Sequence, residues 1–345
     1  MPIEYNHYPL KRILQKKFKK IVIVIYIYRD YCFQGDSLRV ESYFPIFKKE
    51  HLAYTGIKNS FPKCWNQLLS FLVSTSIFVS LALFFVLYFS FLCLGLIPHY
   101  PLFIASSLVT FSVYNLNKIT DQKEDTINNP QRAHLIRNIE QHTGIALSLG
   151  AYVLALIIGL LTKQILSITI LLIPLWIAIL YSVPLSSRLP RLKDIFFAKS
   201  LSVALGMSLS IFLLLYIFYP HPVILLVWVS FLFIKLFINT VLFDVRDLDG
   251  DKKTGINTLP VTWGIRKTKN FLLILNSLLI IWIFIVIHLN LFLMALPIII
   301  FSIVFDYWSI QRFCKVSTVK VHTYDIVVDG EWIILCGMLI VFNFF

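Results

Sequence analysis

Long apolar stretches, repeated along most of the chain, are the feature that most restricts how this sequence can fold. A helix needs about 20 apolar residues to cross the hydrocarbon core of a bilayer. Nine stretches approach that length: residues 69–97, 100–116, 144–161, 165–182, 195–219, 223–243, 271–289, 291–305 and 327–345. The chain is 58% hydrophobic with a mean hydropathy of +0.79, and a water-soluble domain could not bury so much apolar surface. The sequence therefore predicts an all-α integral membrane protein with nine transmembrane helices.

Basic residues are distributed unequally between the two sets of connections. If the nine helices alternate in direction, one side of the membrane carries seventeen Lys or Arg residues and the other side carries only Lys163. The basic side comprises the connections 117–143, 183–199, 244–270 and 306–326. Cytoplasmic connections are enriched in Lys and Arg, so we expect these four to be cytoplasmic in a multi-pass protein of the cell membrane. The net charge of +13 then reflects topology and attraction to anionic lipid, and no nucleic-acid partner is expected.

Residues 1–66 differ in composition from the rest of the chain. They contain twelve Lys or Arg residues, including the block KRILQKKFKK, and an apolar strip at 21–28 that is too short to span a bilayer. We interpret residues 1–66 as a basic cytoplasmic N-terminal extension that lies on anionic lipid, with residues 67–345 as the transmembrane domain. A dispensable tail is the alternative interpretation.

Two acidic segments on the same predicted side of the membrane are the main functional signal. The first, YNLNKITDQKEDTINNPQR, contains Asn117, Asp121 and Asp125, and the second, FDVRDLDGDKKTG, contains Asp244, Asp247 and Asp251. Each follows directly on a long apolar stretch. Residues spaced four apart share one face of a helix, where like charges repel by a few tenths of a kcal/mol. We therefore expect a cation among these carboxylates.

The expected cation is Mg²⁺ held together with a phosphate ligand. Mg²⁺ is usually bound by one or two carboxylates, while phosphate oxygens of the substrate complete its shell. Two facing acidic clusters therefore suggest a diphosphate that is held through Mg²⁺. Four basic residues on the same predicted side of the membrane are available to neutralise such a ligand: Arg132, Lys199, Arg246 and Lys252. For Lys199 the alternative is that the side chain snorkels to the interface, as lysines near the end of a span usually do.

Charged residues within the later spans are secondary candidates. Lys235 lies inside the sixth predicted span, where a cation is costly unless it faces a cavity or a partner. Asp325 and Asp329, again four residues apart, lie where the last predicted span begins. Interfacial carboxylates at the end of a span are common, so these two rank below the acidic segments.

The two acidic segments resemble known motifs. NLNKITDQKED resembles the NxxxDxxxD motif, and DVRDLDGDKKTGINTLPV resembles the DxxDxxxD motif, of the UbiA superfamily of intramembrane prenyltransferases. The motifs follow the second and sixth of nine spans, as in that family, so the resemblance covers roughly residues 67–345. It implies a nine-transmembrane-helix bundle of the UbiA prenyltransferase type. It also implies transfer of a prenyl chain from an isoprenoid diphosphate to an aromatic or lipid-precursor acceptor, with Mg²⁺ and release of pyrophosphate.

The resemblance also implies roles for individual residues. Asn117, Asp121 and Asp125 would hold one Mg²⁺, and Asp244, Asp247 and Asp251 would hold a second. Tyr181 and Ser182 match the Tyr-Ser pair often found at the end of the fourth span and join the catalytic set. The chain departs from many members where it has Asn117-Lys118 instead of Asn-Asp, and NNPQR instead of Arg-Pro after the first motif. These departures leave the reaction class unchanged and the acceptor open.

Two other interpretations remain. A cation-binding membrane transporter would also place carboxylates within a membrane, but here they crowd at one membrane face and no inverted repeat is evident. A family member that has lost activity and serves as a scaffold would have no need of the six motif residues.

Overall fold

The computed structural model describes residues 63–120, 126–127, 141–162, 165–182, 191–315 and 321–343. Contacts divide the chain into two compact units, Met1–Leu72 with Phe342–Phe345 and Val73–Val341. The first unit contributes only a few described helical residues, and the predicted N-terminal extension lies almost entirely outside the described part of the chain. The features discussed below belong to the second unit.

All regular structure in the described ranges is helical. In chain order the helices are α1 Lys63–Ser74, α2 Ile77–Cys93, α3 Tyr100–Thr120, α4 Gln141–Leu161, α5 Ile165–Ser182, α6 Ala198–Phe218, α7 Pro222–Arg246, α8 Leu248–Thr254, α9 Leu259–His288, α10 Leu296–Phe313, α11 Val321–Tyr324 and α12 Glu331–Asn343. A short 3₁₀ helix, Leu192–Asp194, precedes α6, and a single π-helical turn, Asp325–Asp329, joins α11 to α12.

Five of the described helices are both long and apolar enough to cross a membrane: His142–Leu161, Ala198–Phe218, Pro222–Arg246, Leu259–His288 and Leu296–Phe313. Helices α2 and α5 are also apolar but shorter. Helix α3 has the length of a span, yet its second half carries Tyr114, Asn117 and Lys118, which line an internal cavity instead of facing lipid. These helices make the protein a multi-pass membrane protein.

The connection predicted at residues 244–270 is mostly helical. Helix α7 ends at Arg246, α8 follows after the single residue Asp247, and Gly255 ends α8 with a φ of +77°. Helix α9 begins at Leu259, well before the predicted start of the seventh span, and bends at Gly264, where φ is +77° and ψ is 159°. The sequence analysis did not predict α8 or the start of α9, because short helices with many polar residues contain no long apolar run.

The helices pack chiefly against their neighbours in sequence: α2 against α3, α3 against α4, α5 against α6, and α6 against α7. Helix α3 also packs against α5, and α7 packs against α9. One core cluster between α3, α4 and α5 contains Ala105, Tyr152 and Leu171, all buried. The Tyr152 hydroxyl donates a 3.1 Å hydrogen bond to the Leu171 carbonyl oxygen, so the one polar atom of this cluster is paired.

An ionic cluster is buried among α7, α10 and α12. The ammonium group of Lys235 lies 2.6 Å from Asp306 Oδ2 and 2.6 Å from Glu331 Oε1, and the three side chains are at most 2% exposed. Lys235 also donates to the Ser302 carbonyl oxygen at 3.2 Å. The cation that the sequence leaves inside a span therefore has carboxylate partners from two distant helices, as its burial requires.

Candidate active site

A cavity of about 300 Å³ lies among α2, α3, α5, α6 and α7, and the π-helical turn closes part of it. One end is lined by charged side chains from α7, α8 and the π-helical turn. The interior is lined mainly by apolar side chains, such as Leu87, Val109, Ile211 and Leu214. Lys199 at the polar end and Leu214 inside are fifteen positions apart on α6, which is about 22 Å along a helix. The cavity is therefore long, with opposite chemistry at its two ends.

The second acidic segment supplies three carboxylates to the polar end. Asp244 lies in the last turn of α7, Asp247 caps the helix, and Asp251 lies in α8; all three line the cavity. Backbone hydrogen bonds from Asp247 N to the Phe243 oxygen and from Asp251 N to the Asp247 oxygen, both 3.0 Å, continue the helical path across the junction of α7 and α8. Asp244 and Asp251 are both buried. The spacing that suggested one helical face therefore keeps Asp244 and Asp251 close enough to contact the same ammonium group.

Lys199 neutralises two of these carboxylates. Its Nζ atom lies 3.0 Å from Asp244 Oδ1 and 2.8 Å from Asp251 Oδ2. The hydroxyl of the adjacent Ser200 donates a hydrogen bond to Asp244 Oδ2. Burial raises the pKa of Asp251 to about 6, and the charge of Lys199 opposes that rise. The side chain of Lys199 turns into the cavity, so the snorkelling alternative does not describe this conformation.

Arg246 joins the second acidic segment to the end of the chain. Its Nε and Nη2 atoms donate to Asp247 Oδ1 and Oδ2, both at 2.8 Å, in a bidentate pair. Its Nη1 atom donates to Asp325 Oδ1, also at 2.8 Å. The guanidinium group lies over the ring of Phe243, 4.8 Å from the centroid. Asp247 and Asp325 both line the cavity. Arg246 therefore connects the second acidic segment to the π-helical turn that precedes α12.

The first acidic segment is described only at its beginning. Asn117 lines the cavity, and its Oδ1 atom accepts a 3.1 Å hydrogen bond from Ser182 Oγ. Tyr181, which precedes Ser182, is buried and lines the same cavity. The predicted residues Asp121, Asp125 and Arg132 lie outside the described residues. Asn117, Tyr181 and Ser182 are thus brought together with the second acidic segment.

Lys252, which the sequence predicts to bind diphosphate, does not line the cavity, whereas Lys193, which the sequence did not single out, does. Lys252 is exposed on α8 and is not among the cavity-lining residues, so its proposed contact with a diphosphate stays a prediction. Lys193 lies in the short 3₁₀ helix, is 1% exposed and lines the cavity. The sequence places Lys193 in a basic loop and contains no signal that separates it from the neighbouring cations.

Lys118 and Ser200 are further polar residues that the sequence did not single out as site residues. Lys118 lines the cavity and donates to the Ser74 carbonyl oxygen at 2.7 Å. Ser200, which also lines the cavity, follows Lys199 and shares its position at the start of α6. The position of Ser200 beside Lys199 is only a weak indication of a site residue, because serine is common in these helices.

The polar end fits a divalent cation that arrives with a phosphate ligand. Among the described residues, no three His, Cys, Asp or Glu side chains form a ready-made metal site. Asp244 and Asp251 nevertheless direct oxygen atoms at one cationic position, which the Lys199 ammonium fills. One or two carboxylates are what Mg²⁺ needs from a protein when phosphate oxygens supply the other ligands. The residues present therefore fit Mg²⁺.

Comparisons with known proteins agree on one family. The model of the UbiA prenyltransferase family matches residues 68–321. A UbiA homologue from Archaeoglobus fulgidus, described as bound to GPP and Mg²⁺, superposes with a TM-score of 0.62 at 16% identity, covering 79% of this chain and 97% of that one. A UbiA homologue from Aeropyrum pernix K1, in its apo form, has a TM-score of 0.52 at 13% identity, covering 77% and 98%. A search of curated protein sequences finds no match.

At such low identity the structural likeness establishes the fold, whereas the family model is matched by the sequence itself. The match begins within α1 and ends at the first residue of α11, so it includes both acidic segments and the helices that form the cavity. The chain belongs to the UbiA prenyltransferase family.

Proposed function

We propose that this protein is a Mg²⁺-dependent intramembrane prenyltransferase. It moves a prenyl chain from an isoprenoid diphosphate to an aromatic or lipid-precursor acceptor and releases pyrophosphate. The observation that carries the proposal is one cavity that joins a charged end to a long apolar interior. Relatives of the same fold are described as bound to GPP and Mg²⁺, and to DMAPP and Mg²⁺, which supports the use of a prenyl diphosphate.

The charged end would hold the diphosphate. Asn117, Asp121 and Asp125 form one proposed Mg²⁺ site, and Asp244, Asp247 and Asp251 form the other. Two Mg²⁺ ions bound there would neutralise the negative charge that develops on the departing pyrophosphate. Ser182 holds the Asn117 side-chain oxygen at 3.1 Å, which orients this proposed ligand. Tyr181, buried beside Ser182, lines the cavity next to it.

Lys199 and Arg246 would act directly on the diphosphate. Each cation bridges two carboxylates, through contacts of 2.8 to 3.0 Å. A diphosphate with its own cations makes both residues available as donors to phosphate oxygens, since the carboxylates then have other partners. Arg132 and Lys252 complete the proposed diphosphate-binding set.

The apolar interior would bind the prenyl chain and exclude water. Leu87, Ile211 and Leu214 are at most 3% exposed and line this part of the cavity. An allylic cation reacts with water unless the site is dry, so this lining protects the intermediate as well as binding the chain. The length of the cavity along α6, about 22 Å, allows a chain of several isoprene units.

The membrane arrangement is part of the proposal. We infer nine transmembrane helices in residues 67–345, with the motif end of the bundle and the basic extension 1–66 on the cytoplasmic side of the cell membrane. The charge bias of the connections supports this orientation. The ends of α3 and α7 support placing both motifs on one side, because both carry motif residues that line the same cavity end.

Pyrophosphate release tests this function. Purified protein in nanodiscs, supplied with Mg²⁺, geranylgeranyl diphosphate and a panel of aromatic and glycerol-phosphate acceptors, should release pyrophosphate and form a prenylated product. Asp247→Asn should lower the rate at least a hundredfold, a loss of about 2.7 kcal/mol of transition-state stabilisation. Asp249→Asn is the matched control, because Asp249 is the exposed aspartate of the same short helix.

The same variants separate the enzyme from a transporter. Proteoliposomes of the wild type and of Asp247→Asn should show equal cation leakage if the carboxylates serve catalysis. Asp247-dependent cation flux, without pyrophosphate release from any prenyl diphosphate, would refute the prenyltransferase.

A further inference from the structure

Three phenylalanine rings lie at the far end of the cavity, opposite the charged groups. On α2, α3 and α6, the cavity-lining residues farthest from the charged end are Leu87, Ser106 and Leu214. One helical turn beyond them, the same three helices carry Phe91, Phe103 and Phe218. Three helices therefore place the same type of side chain directly beyond the cavity.

The three rings contact one another. The Phe91 ring meets the Phe103 ring edge-on, with centroids 4.8 Å apart, and meets the Phe218 ring edge-on at 5.3 Å. Edge-to-face pairs at such distances are favourable. Phe91 and Phe103 are 0% exposed, and the His99 ring lies 5.1 Å from the Phe218 ring. We call these three phenylalanine rings the phenylalanine plug, because they form an apolar wall across the far end.

The distance between the charged end and the phenylalanine plug limits the chain that the cavity can hold. Lys199 and Leu214 are about 22 Å apart along α6. An extended isoprene unit has four carbon–carbon bonds of about 1.5 Å in its main chain, so it spans about 5 Å. The cavity therefore has room for about four units between the diphosphate-binding groups and the plug.

The far end distinguishes chains by their size. The side chains of Leu87 and Leu214 and the rings of the plug contain no hydrogen-bonding group, so a prenyl chain is held there by apolar contact. Protein interiors are densely packed, and a group forced into a filled region is costly. A fifth isoprene unit would add five carbon atoms where the Phe91 and Phe103 rings lie.

We propose that the phenylalanine plug sets the length of the donor chain, and that the donor is an isoprenoid diphosphate of about four units, geranylgeranyl diphosphate. This inference deepens the proposed function and rests on it. A shorter donor leaves part of the apolar end unfilled and loses binding free energy, whereas a longer donor meets the plug. The specificity constant kcat/KM is therefore greatest for the donor whose length fits.

Ser106 allows the limit to be moved in the opposite direction. Its small side chain lines the cavity one turn before Phe103 on α3. Ser106→Phe would place a ring about 4.5 Å nearer the charged end than the Phe103 ring. That change removes the room for about one isoprene unit.

The experiment is a competition between donors of different length. Wild-type protein in nanodiscs receives Mg²⁺, aromatic and glycerol-phosphate acceptors, and an equimolar mixture of geranyl, farnesyl, geranylgeranyl and geranylfarnesyl diphosphates, which contain two to five isoprene units. Mass spectrometry of the prenylated products gives ratios of kcat/KM, and these ratios do not depend on how much of the protein is folded. The wild type should favour geranylgeranyl over geranylfarnesyl diphosphate by about tenfold or more.

Variants of the plug should change this preference. Phe91→Ala should abolish it, because the space of the lost ring admits the fifth unit. Phe218→Ala, which removes a partly buried ring, is the second variant if Phe91→Ala does not fold. Ser106→Phe should shift the preference to farnesyl diphosphate. Phe231→Ala is the matched control and should keep the wild-type preference: Phe231 is 0% exposed and packs on Trp282 at 5.1 Å, but it is not among the residues that line the cavity.

Three results would overturn the inference. Equal use of geranylgeranyl and geranylfarnesyl diphosphates by the wild type would show that the plug does not limit the chain. A wild-type preference for a shorter donor would contradict the assigned length. An unchanged preference in both Phe91→Ala and Phe218→Ala would show that the rings do not select the donor. If no donor yields pyrophosphate or product, the proposed prenyltransferase itself fails, and that result differs from use of all donors without selection.

Discussion

The ammonium group of Lys199 lies 3.0 Å from Oδ1 and 2.8 Å from Oδ2 of Asp251, although the two residues are 52 positions apart in sequence. The contact ties the start of α6 to the short helix α8 across the mouth of the cavity. It also places a counter-charge from α6 against the second acidic segment. Several properties of the protein should depend on this arrangement.

Replacement of Lys199 should weaken binding of the prenyl diphosphate. Lys199→Met removes a charged donor, and hydrogen bonds to charged groups contribute about 1.5–3 kcal/mol. We expect the KM for geranylgeranyl diphosphate to rise by about 10- to 100-fold, measured from pyrophosphate release at saturating Mg²⁺. Lys199→Arg keeps the charge and should recover part of the loss. An unchanged KM in Lys199→Met would show that Lys199 does not contact the diphosphate.

Removal of metal should abolish activity without unfolding the protein. EDTA should stop pyrophosphate release, and added Mg²⁺ should restore it, because the diphosphate is held through Mg²⁺. The thermal midpoint in EDTA should nevertheless stay close to that in Mg²⁺. Lys199 and Arg246 form ion pairs with Asp244, Asp247 and Asp251, and these pairs should keep the carboxylates neutralised when metal is removed. Full turnover in chelator would contradict the mechanism, and unfolding in chelator would contradict this account of the charges.

Lys235 should be essential for stability. Lys235→Met leaves Asp306 and Glu331 buried without their cation, and breaking a buried pair typically costs about 3–5 kcal/mol. The free energy of unfolding, measured by SDS titration in mixed micelles, should fall by that amount. The triple variant Lys235→Met, Asp306→Leu, Glu331→Leu should recover most of it, since no uncompensated charge remains.

A partly exposed ion pair is the control for that experiment. The side chains of Arg191 and Asp194 are 33% and 30% exposed, so Asp194→Asn should change the free energy of unfolding by less than about 1 kcal/mol. Equal losses in Asp194→Asn and Lys235→Met would show that burial does not set the strength of these pairs.

Accessibility to an impermeant maleimide should reveal the orientation. In a variant without the five native cysteines, Lys253→Cys should be labelled only from the cytoplasmic side and His221→Cys only from the opposite side. Both positions are exposed, and helix α7 separates them. Labelling of both from the same side would mean that α7 does not cross the membrane.

The sequence by itself predicted the helical membrane architecture and the chemistry of the acidic segments. Both depend on local information, because a long apolar run is enough to predict a helix in lipid and spacing along the chain is enough to recognise a motif. The helices within the predicted connection 244–270 were less predictable. Helix α8 and the first turns of α9 contain many polar residues, and their local patterns resemble those of surface loops.

The tertiary structure alone decided which charged groups meet. Arg246 and Asp325 are 79 positions apart, Lys235 and Glu331 are 96 apart, and Ser182 and Asn117 are 65 apart. Helices that are apolar on all sides carry no pattern that shows which face points inwards, so the sequence could not predict these pairs. The position of Lys235 inside a predicted span indicated that it needs a partner. The structure shows two, Asp306 on α10 and Glu331 on α12. The tertiary structure also places Asp329, a secondary candidate in the sequence, in the cavity beside the acidic segment.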